Sequence, residues 1–380
     1  MIQGQDDRGC SAERCHQKQS AIIDHRKRRN NAKDGHHFHC SQKTGNQVVL
    51  GRPEILFHFT SARQQWNLSC HERLIQLYIH GKRMKIEFGN IDELAALSPD
   101  VFWQQYVKKS IPVKVSKLFD SWPAIKNWDF NYFKNKAGTQ RIQLKKFSSG
   151  GGVKVISCQL KDYVNDLECY DRDPNKKHRK LPPYCHDVPF FHLVTDLIDD
   201  VRPFATEFLP EWYRAEWWKY AQFFLGPAGS VTPLHFDTLR THNLFFQIHG
   251  IKEFILLPPS AIEYCYRNSW RWFDVNPRNP DFETYPAYRL VKPMRVTVGP
   301  GDVLYMPPGM LHYVSTIEKS ISFNIDFHTR RSVVNSFQFV LDGMPSKNIL
   351  YNIIISLGLI LKVPPHYLFS YYKSYLNYIS

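Results

Sequence analysis

An α+β fold, with a β-sandwich or small barrel at its centre and helices on its flanks, is what the sequence predicts. Three observations carry that prediction. From Ala221 to His328 the chain reads as short apolar segments divided by turn residues: AQFFLG, PLHFD, NLFFQIHG, KEFILLPP, YRLVKPMRVTVGPGDVLYMPPG, LHYVST and SISFNIDFH. Short strands spaced in this way, with Gly and Pro between them, make a sandwich or a barrel. Ahead of that run, helical and strand-like stretches alternate. Behind it, ILYNIIISLGLIL (Ile349 to Leu361) is apolar but shorter than the ~20 residues a spanning helix needs, so no membrane span is expected. It reads as a buried or dimer-forming helix, with a membrane-surface helix as the alternative.

Each element follows from local chemistry. Residues 1–73 are rich in Arg, Lys, Gln, Asn and His, show little apolar periodicity and contain the run HRKRRN (His25 to Asn30), so they read as a basic, disordered leader. That run is either a nuclear-targeting or nucleic-acid patch or simply a solvated tail. His36, His37, His39 and Cys40, with Cys10, Cys15 and His16 upstream, fit no standard pair of zinc-ligand hairpins. Residues 74–110 form a helical lead-in, where Ser98 is an N-cap, Pro99 the first helical residue, and Val101, Phe102 and Tyr106 recur at helical spacing. The core domain spans 111–331. IPVKVSKLF (Ile111 to Phe119) alternates as a strand, DFNYFKNKAG is a short helix, TQRIQLKKF a second strand, SSGGG (Ser148 to Gly152) a turn, LKDYVNDLECY a helix and DRDPNKKHRKLPP a loop. The aromatic insertion from Tyr264 to Pro286 interrupts the strands and reads as a functional flap. Residues 332–380 are a helical extension and a candidate dimer interface.

Composition bounds the function. A chain of 380 residues with 43% hydrophobic, 14% aromatic and 22% charged residues can bury a large core, which excludes a mainly disordered protein. The excess of 49 Lys and Arg over 35 Asp and Glu, +14, points to anionic partners without choosing among nucleic acid, acidic protein segments and membrane surfaces. The eight cysteines are scattered and the start lacks the apolar stretch of a secretory signal, so no disulfide framework and a reducing, cytoplasmic location are expected, with the nucleus as the alternative in a eukaryote.

Chemistry concentrates in TPLHFDT (Thr232 to Thr238) and PGDVLYMPPGMLH (Pro300 to His312). On a strand, His235 and Asp237 share a face while Phe236 points away. In a double-stranded β-helix these two stretches would lie on facing sheets near one open end, which brings His312 to the same place. A lone His on a strand is more often a core or surface histidine, and His-x-Asp alone is a weak signal. Two histidines and a carboxylate on one face, however, form the triad that holds Fe(II) with open positions. A cation would also offset the desolvation of an inward Asp237. Lys252 alternates with Phe254 and Leu256 in KEFILL, and a lysine among such neighbours needs an anion unless it snorkels to water.

The sequence resembles the JmjC branch of the cupin-like oxygenases, closest in pattern to its asparaginyl hydroxylases, over Ile111 to Arg331. The resemblance rests on GPAGSVTPLHFD, NLFFQIHGIKEFILLPPS, NPDFETYP, VGPGDVLYMPPGMLHYVS and ISFNIDF. It implies a jelly-roll, double-stranded β-helix core. It also implies iron bound by His235, Asp237 and His312, and 2-oxoglutarate and O2 as co-substrates. Lys252 would hold the distal carboxylate of 2-oxoglutarate, with Thr232, Asn243 and Asn324 as further contacts. The family often adds a tyrosine hydroxyl from the strand before the core, and PFFHLVTDL (Pro189 to Leu197) offers only phenylalanines and His192. The loop TLRTH, after Asp237, is slightly longer than its counterpart. The expected activity is hydroxylation of a C–H bond, most readily of a protein side chain. The alternatives are hydroxylation of a modified tRNA or small anion, and a non-catalytic cupin-like binding module.

Overall fold

The aliphatic and aromatic runs of the sequence form two sheets in the computed structural model, which describes residues 86–147 and 153–376. The basic leader, its Cys and His group and the turn at Ser148 to Gly152 lie outside the described residues.

Nine strands form the larger sheet, in the order β1-β2-β11-β8-β13-β6-β5-β3-β4. They are β1 (Asp92–Leu94), β2 (Val113–Val115), β3 (Arg141–Phe147), β4 (Val153–Gln159), β5 (Tyr184–Val188), β6 (Ala221–Gly226), β8 (His242–His249), β11 (Val303–Met306) and β13 (Ser320–Phe327). The smaller sheet has the order β10-β9-β12-β7, built from β7 (Val231–His235), β9 (Lys252–Leu257), β10 (Met294–Val298) and β12 (Leu311–Thr316). All pairings are antiparallel except β1 with β2. This is the jelly-roll α+β architecture that the strand spacing and the resemblance predicted.

The central strands β6, β8, β11 and β13 are covered on both faces, which explains why they read as almost continuous apolar runs, whereas the outer strands β3 and β10 alternate. Tyr184, Phe224, Phe245, Phe254, Leu256 and Leu304 cluster between the sheets. Their strand neighbours Phe223, Phe246 and Phe323 turn the other way, into a large aromatic cluster under the flanking helices. The outer face of the small sheet, Leu234, Phe236, Ile255, Leu257 and Leu311, is capped by Cys265, Phe273 and Val275 of the insertion. The tight β8–β9 connection requires Gly250: φ is +70°, and a Cβ there would collide with the Lys319 carbonyl oxygen.

Side-chain N-caps stand at Ser98, Asp129 and Thr329. Helix α1 (Pro99–Val101) begins with Ser98 Oγ accepting the Val101 amide at 3.4 Å, then continues as a π-helical stretch over Phe102–Val107. Helix α2 spans Pro123–Asn127. Helix α3 (Phe130–Ala137) is capped by Asp129, and α4 covers Leu160–Arg172. Short helices α5 (Phe190–Leu193) and α6 (Glu211–Arg214) precede the barrel. Behind it come α7 (Arg330–Ser336), α8 (Ser346–Leu359) and α9 (Pro365–Leu376). No helix among the described residues is long and apolar enough to cross a membrane.

Four local expectations need correction. The strand read over Ile111 to Phe119 is only Val113–Val115, because Ser116 turns the chain and Lys117 takes φ +55°. VKVISCQ, passed over beside the glycine turn, is strand β4, paired along its length with β3. PFFHL is not strand but helix α5. Among the described cysteines Cys158, Cys185 and Cys265 are buried, and Cys169 is disulfide-bonded, a link that scattered cysteines did not predict.

Candidate metal centre and its cavity

His235 closes β7 and His312 opens the body of β12, and the two are direct register partners on neighbouring strands. They therefore belong to one sheet, not to facing sheets as the sequence suggested. Pairing of adjacent strands sets their ring centroids 4.1 Å apart. Asp237 lies beyond the last residue of β7, so strand alternation does not aim it. The turn after His235 does, with the Phe236 amide donating to the Arg271 carbonyl and the Arg240 amide to the Asp237 carbonyl. The Asp237 Oδ1 atom is 3.6 Å from His312 Nε2. One potential ligand atom from each of the three residues lies within 4.8 Å of the others.

Both imidazoles are oriented by their own backbone. Nδ1 of His235 is 2.8 Å from the Pro233 carbonyl, and Nδ1 of His312 is 3.1 Å from the Met310 carbonyl. A proton held on Nδ1 leaves Nε2 with its lone pair free, the arrangement that metal-binding histidines use. Burial, and then the neighbouring His312, holds His235 well below the ordinary imidazole range, so it is neutral. Trp272 of the insertion stacks on His235 with centroids 4.9 Å apart.

The centre opens into a cavity of about 70 Å³ between the sheets. Since one water needs roughly 10–15 Å³ by this measure, the space suits a small multidentate molecule. Lys252, at 1% exposure, lines it with Phe254 on the same face of β9. Its Nζ donates to Tyr184 Oη and Ser322 Oγ, each at 2.7 Å, and is ringed by Phe224, Phe245 and Tyr184. No carboxylate pairs with it among the described residues. Burial alone pushes its pKa well below the usual lysine value.

Thr232 also lines the cavity, and its hydroxyl sits 3.4 Å from His186 Nε2. Asn243 and Asn324 face the same space from β8 and β13. Their amide groups are turned to Asp326 Oδ1, at 2.8 and 3.2 Å, and Asn243 also donates to Asp237 Oδ2 at 3.2 Å. Both amide oxygens are buried without partners. All seven residues singled out in the sequence thus share one cavity.

Sequence reasoning missed several groups. The tyrosine sought in PFFHL is Tyr184, from PPYCHD, a stretch taken for the end of a loop. His186 and Asp187 follow it on β5, and Asp187 Oδ2 binds Lys145 Nζ at 2.6 Å and His186 Nδ1 at 2.9 Å. Burial would raise the Asp187 pKa, but His186 and Lys145 together hold it well below the ordinary carboxylate value. Asp326 is raised well above that value by burial and then by Asp237, and its Oδ1 accepts from both asparagine amides. The available signal was the run of polar residues, Tyr184, His186 and Asp187, entering a strand that pairs with apolar β6.

Comparison with known proteins adds a frame. Residues 99–332 match the family described as "Cupin-like domain". Over 251 residues the chain is 26% identical to "Jumonji C domain-containing protein 5" of Drosophila melanogaster, covering 63% of this chain and 59% of that protein. It is 25% identical over 279 residues to "2-oxoglutarate and iron-dependent oxygenase JMJD4" of Gallus gallus, covering 67% and 63%. With "Bifunctional peptidase and (3S)-lysyl hydroxylase JMJD7" of Homo sapiens it shares 23% over 283 residues, covering 65% and 86%. The chain thus spans about three fifths of the length of the first two relatives.

Proposed function

The chain belongs to the cupin-like domain family, and from that premise we propose that it is an Fe(II)- and 2-oxoglutarate-dependent dioxygenase. It hydroxylates a C–H bond of a protein side chain, with release of succinate and carbon dioxide. The observation that carries this reading is the pairing, in one cavity, of a two-histidine, one-carboxylate cluster with a buried lysine that lacks an anion.

His235, Asp237 and His312 would hold the metal. The donor set fits a hard divalent cation: two imidazoles with free Nε2 atoms, one carboxylate, and a cavity on the open side. When bound, iron supplies the oxidising power for C–H hydroxylation with O2 and 2-oxoglutarate. The chain's own residues do the rest. Lys252 receives the distal carboxylate, and Tyr184 and Ser322 hold its ammonium in place while adding two hydroxyl donors. Thr232 offers a third hydroxyl, fixed by His186. Asn243 orients the Asp237 carboxylate, and the aromatic walls keep bulk water from the reacting centre.

A protein substrate is supported by the lysyl hydroxylase among the relatives and by the chain's basic character, which suits acidic peptides. Succinate formation from 2-oxoglutarate against a panel of peptides and RNAs, with the product located by mass, tests the proposal. Coupled turnover with a peptide and a gain of one oxygen atom is expected. Turnover with RNA alone would replace the substrate class, and no succinate with any substrate under Fe(II) would remove the enzymatic reading.

For the C-terminal helices we propose a second copy of the chain as partner. Leu350, Ile353, Leu357 and Leu361 leave one strip of α8 and its end exposed, at 54, 45, 36 and 66%.

A further inference from the structure

A second cavity, of about 430 Å³, shares no lining residue with the first. The two are separated by the start of β8, where Asn243 faces the metal centre and its neighbour His242 faces the second cavity. The lining includes Arg240, Lys108, Arg331, Ser332 and Ser336, and no carboxylate among the described residues.

Arg240 carries the argument. It is only 5% exposed, with its guanidinium over the rings of Phe236 and Phe339 at 4.7 and 3.4 Å. Stacking satisfies the faces of a guanidinium but not its five in-plane N–H donors. Those donors form no hydrogen bond or ion pair among the described residues, and Nη1 is buried without a partner. Asp342, whose field reaches this group, is exposed and forms no ion pair with it, while Arg267 repels it. Burial first, and then Arg267, lower the Arg240 pKa to about 10, which leaves it cationic at neutral pH. A buried cation whose donors lack acceptors is costly unless an anion completes it.

The surroundings are shaped to hold that cation. Gly309 has φ +75°, and a Cβ there would come within 2.5 Å of Arg240 Nη2. Arg240 itself takes φ +57°, a left-handed conformation uncommon for a residue with a side chain. It stands on the TLRTH loop, the longer loop noted in the sequence, and lines the second cavity rather than the first.

We propose that this cavity is a binding site for an oxyanion, the phosphate or carboxylate group of a ligand, with Arg240 as its buried cation and Lys108 and Arg331 at its rim. The site is separate from the metal centre and does not depend on the reaction assigned to it.

The test titrates the full-length protein with inorganic phosphate and, in parallel, with acetate, following the thermal midpoint at constant ionic strength. A saturable rise is expected with at least one of the two, and the better anion identifies the group. In Arg240→Gln the half-saturating concentration rises at least about tenfold. Because Arg240 packs between two rings, Arg331→Gln at the exposed rim supplies a second arm, with an increase of several-fold. The Arg240-dependent part of the response persists in Lys252→Ala, which removes only the cation of the first cavity. An identical response in all variants overturns the proposal, as does loss of the response in Lys252→Ala, which would move the anion to the first cavity. A wild-type protein that saturates with neither anion overturns it as well.

Discussion

Lys252 is the residue on which the co-substrate reading turns. With the distal carboxylate beside it, Lys252→Ala leaves a desolvated charge without its partner, at a cost of ~3–5 kcal/mol, or two to three orders of magnitude in apparent 2-oxoglutarate affinity. Fe(II) binding measured without co-substrate should stay near wild type, since no ligand atom is touched. A 2-oxoglutarate requirement within a few-fold of wild type would exclude Lys252 as the anchor. Tyr184→Phe removes one hydroxyl from the Lys252 ammonium, so the expected rise is smaller, about tenfold for a bond of ~1.5 kcal/mol. Asp237→Ala should abolish metal-dependent succinate production with the unfolding transition intact; turnover at the wild-type rate would sink the triad.

Buried histidines make a prediction about acid. His242 is lowered to about 3 and His186 and His328 to about 4, in each case by burial first. Their folded pKa values lie below the unfolded value of ~6.5, so the unfolded state binds more protons between these limits and stability falls as pH falls from there. At about pH 5 each neutral histidine costs up to ~2 kcal/mol relative to neutral pH. Urea midpoints at the two pH values measure this. His328→Asn should flatten the dependence, and an unchanged slope would mean that His328 is already protonated in the fold.

At the scale of elements, the insertion is tied to the metal centre more closely than a flap would be. Trp272 is 6% exposed, stacks on His235, and touches Phe147 of β3. His235 and Trp272 also form an isolated bridge between β7 and the insertion. Trp270 is less deeply set, with its ring edge-on to Phe236. Trp272→Ala should therefore destabilise the fold by ~3–5 kcal/mol and weaken Fe(II) binding together. Persistence of full uncoupled 2-oxoglutarate turnover in that variant would instead mark this residue as a substrate anchor.

At the scale of the whole molecule, the proposed self-association rests on the exposed strip of α8. Ile353→Glu combined with Leu357→Glu should shift a dimer to monomer in light scattering at micromolar concentration without loss of turnover. A wild-type protein that is already monomeric there would dismiss the partner.

Much of this molecule is written in its chain. The strand series from Ala221, the cap at Ser98, and the buried placement of His235, His312 and Lys252 follow from period, turn chemistry and the cost of burying charge. Those are local properties, and local physics determines them. Tertiary structure alone decided the rest. That His235 and His312 are neighbours on one sheet depends on the register of β7 with β12, which no single strand encodes. Tyr184 reaches Lys252 across 68 positions of sequence, and Lys145 reaches Asp187 across 42, because β5 pairs between β3 and β6. Arg240, three residues beyond Asp237, turns into a different cavity through one left-handed residue. A side chain's type sets what it can bind, but the strand order and the sign of a single φ set which neighbours it meets.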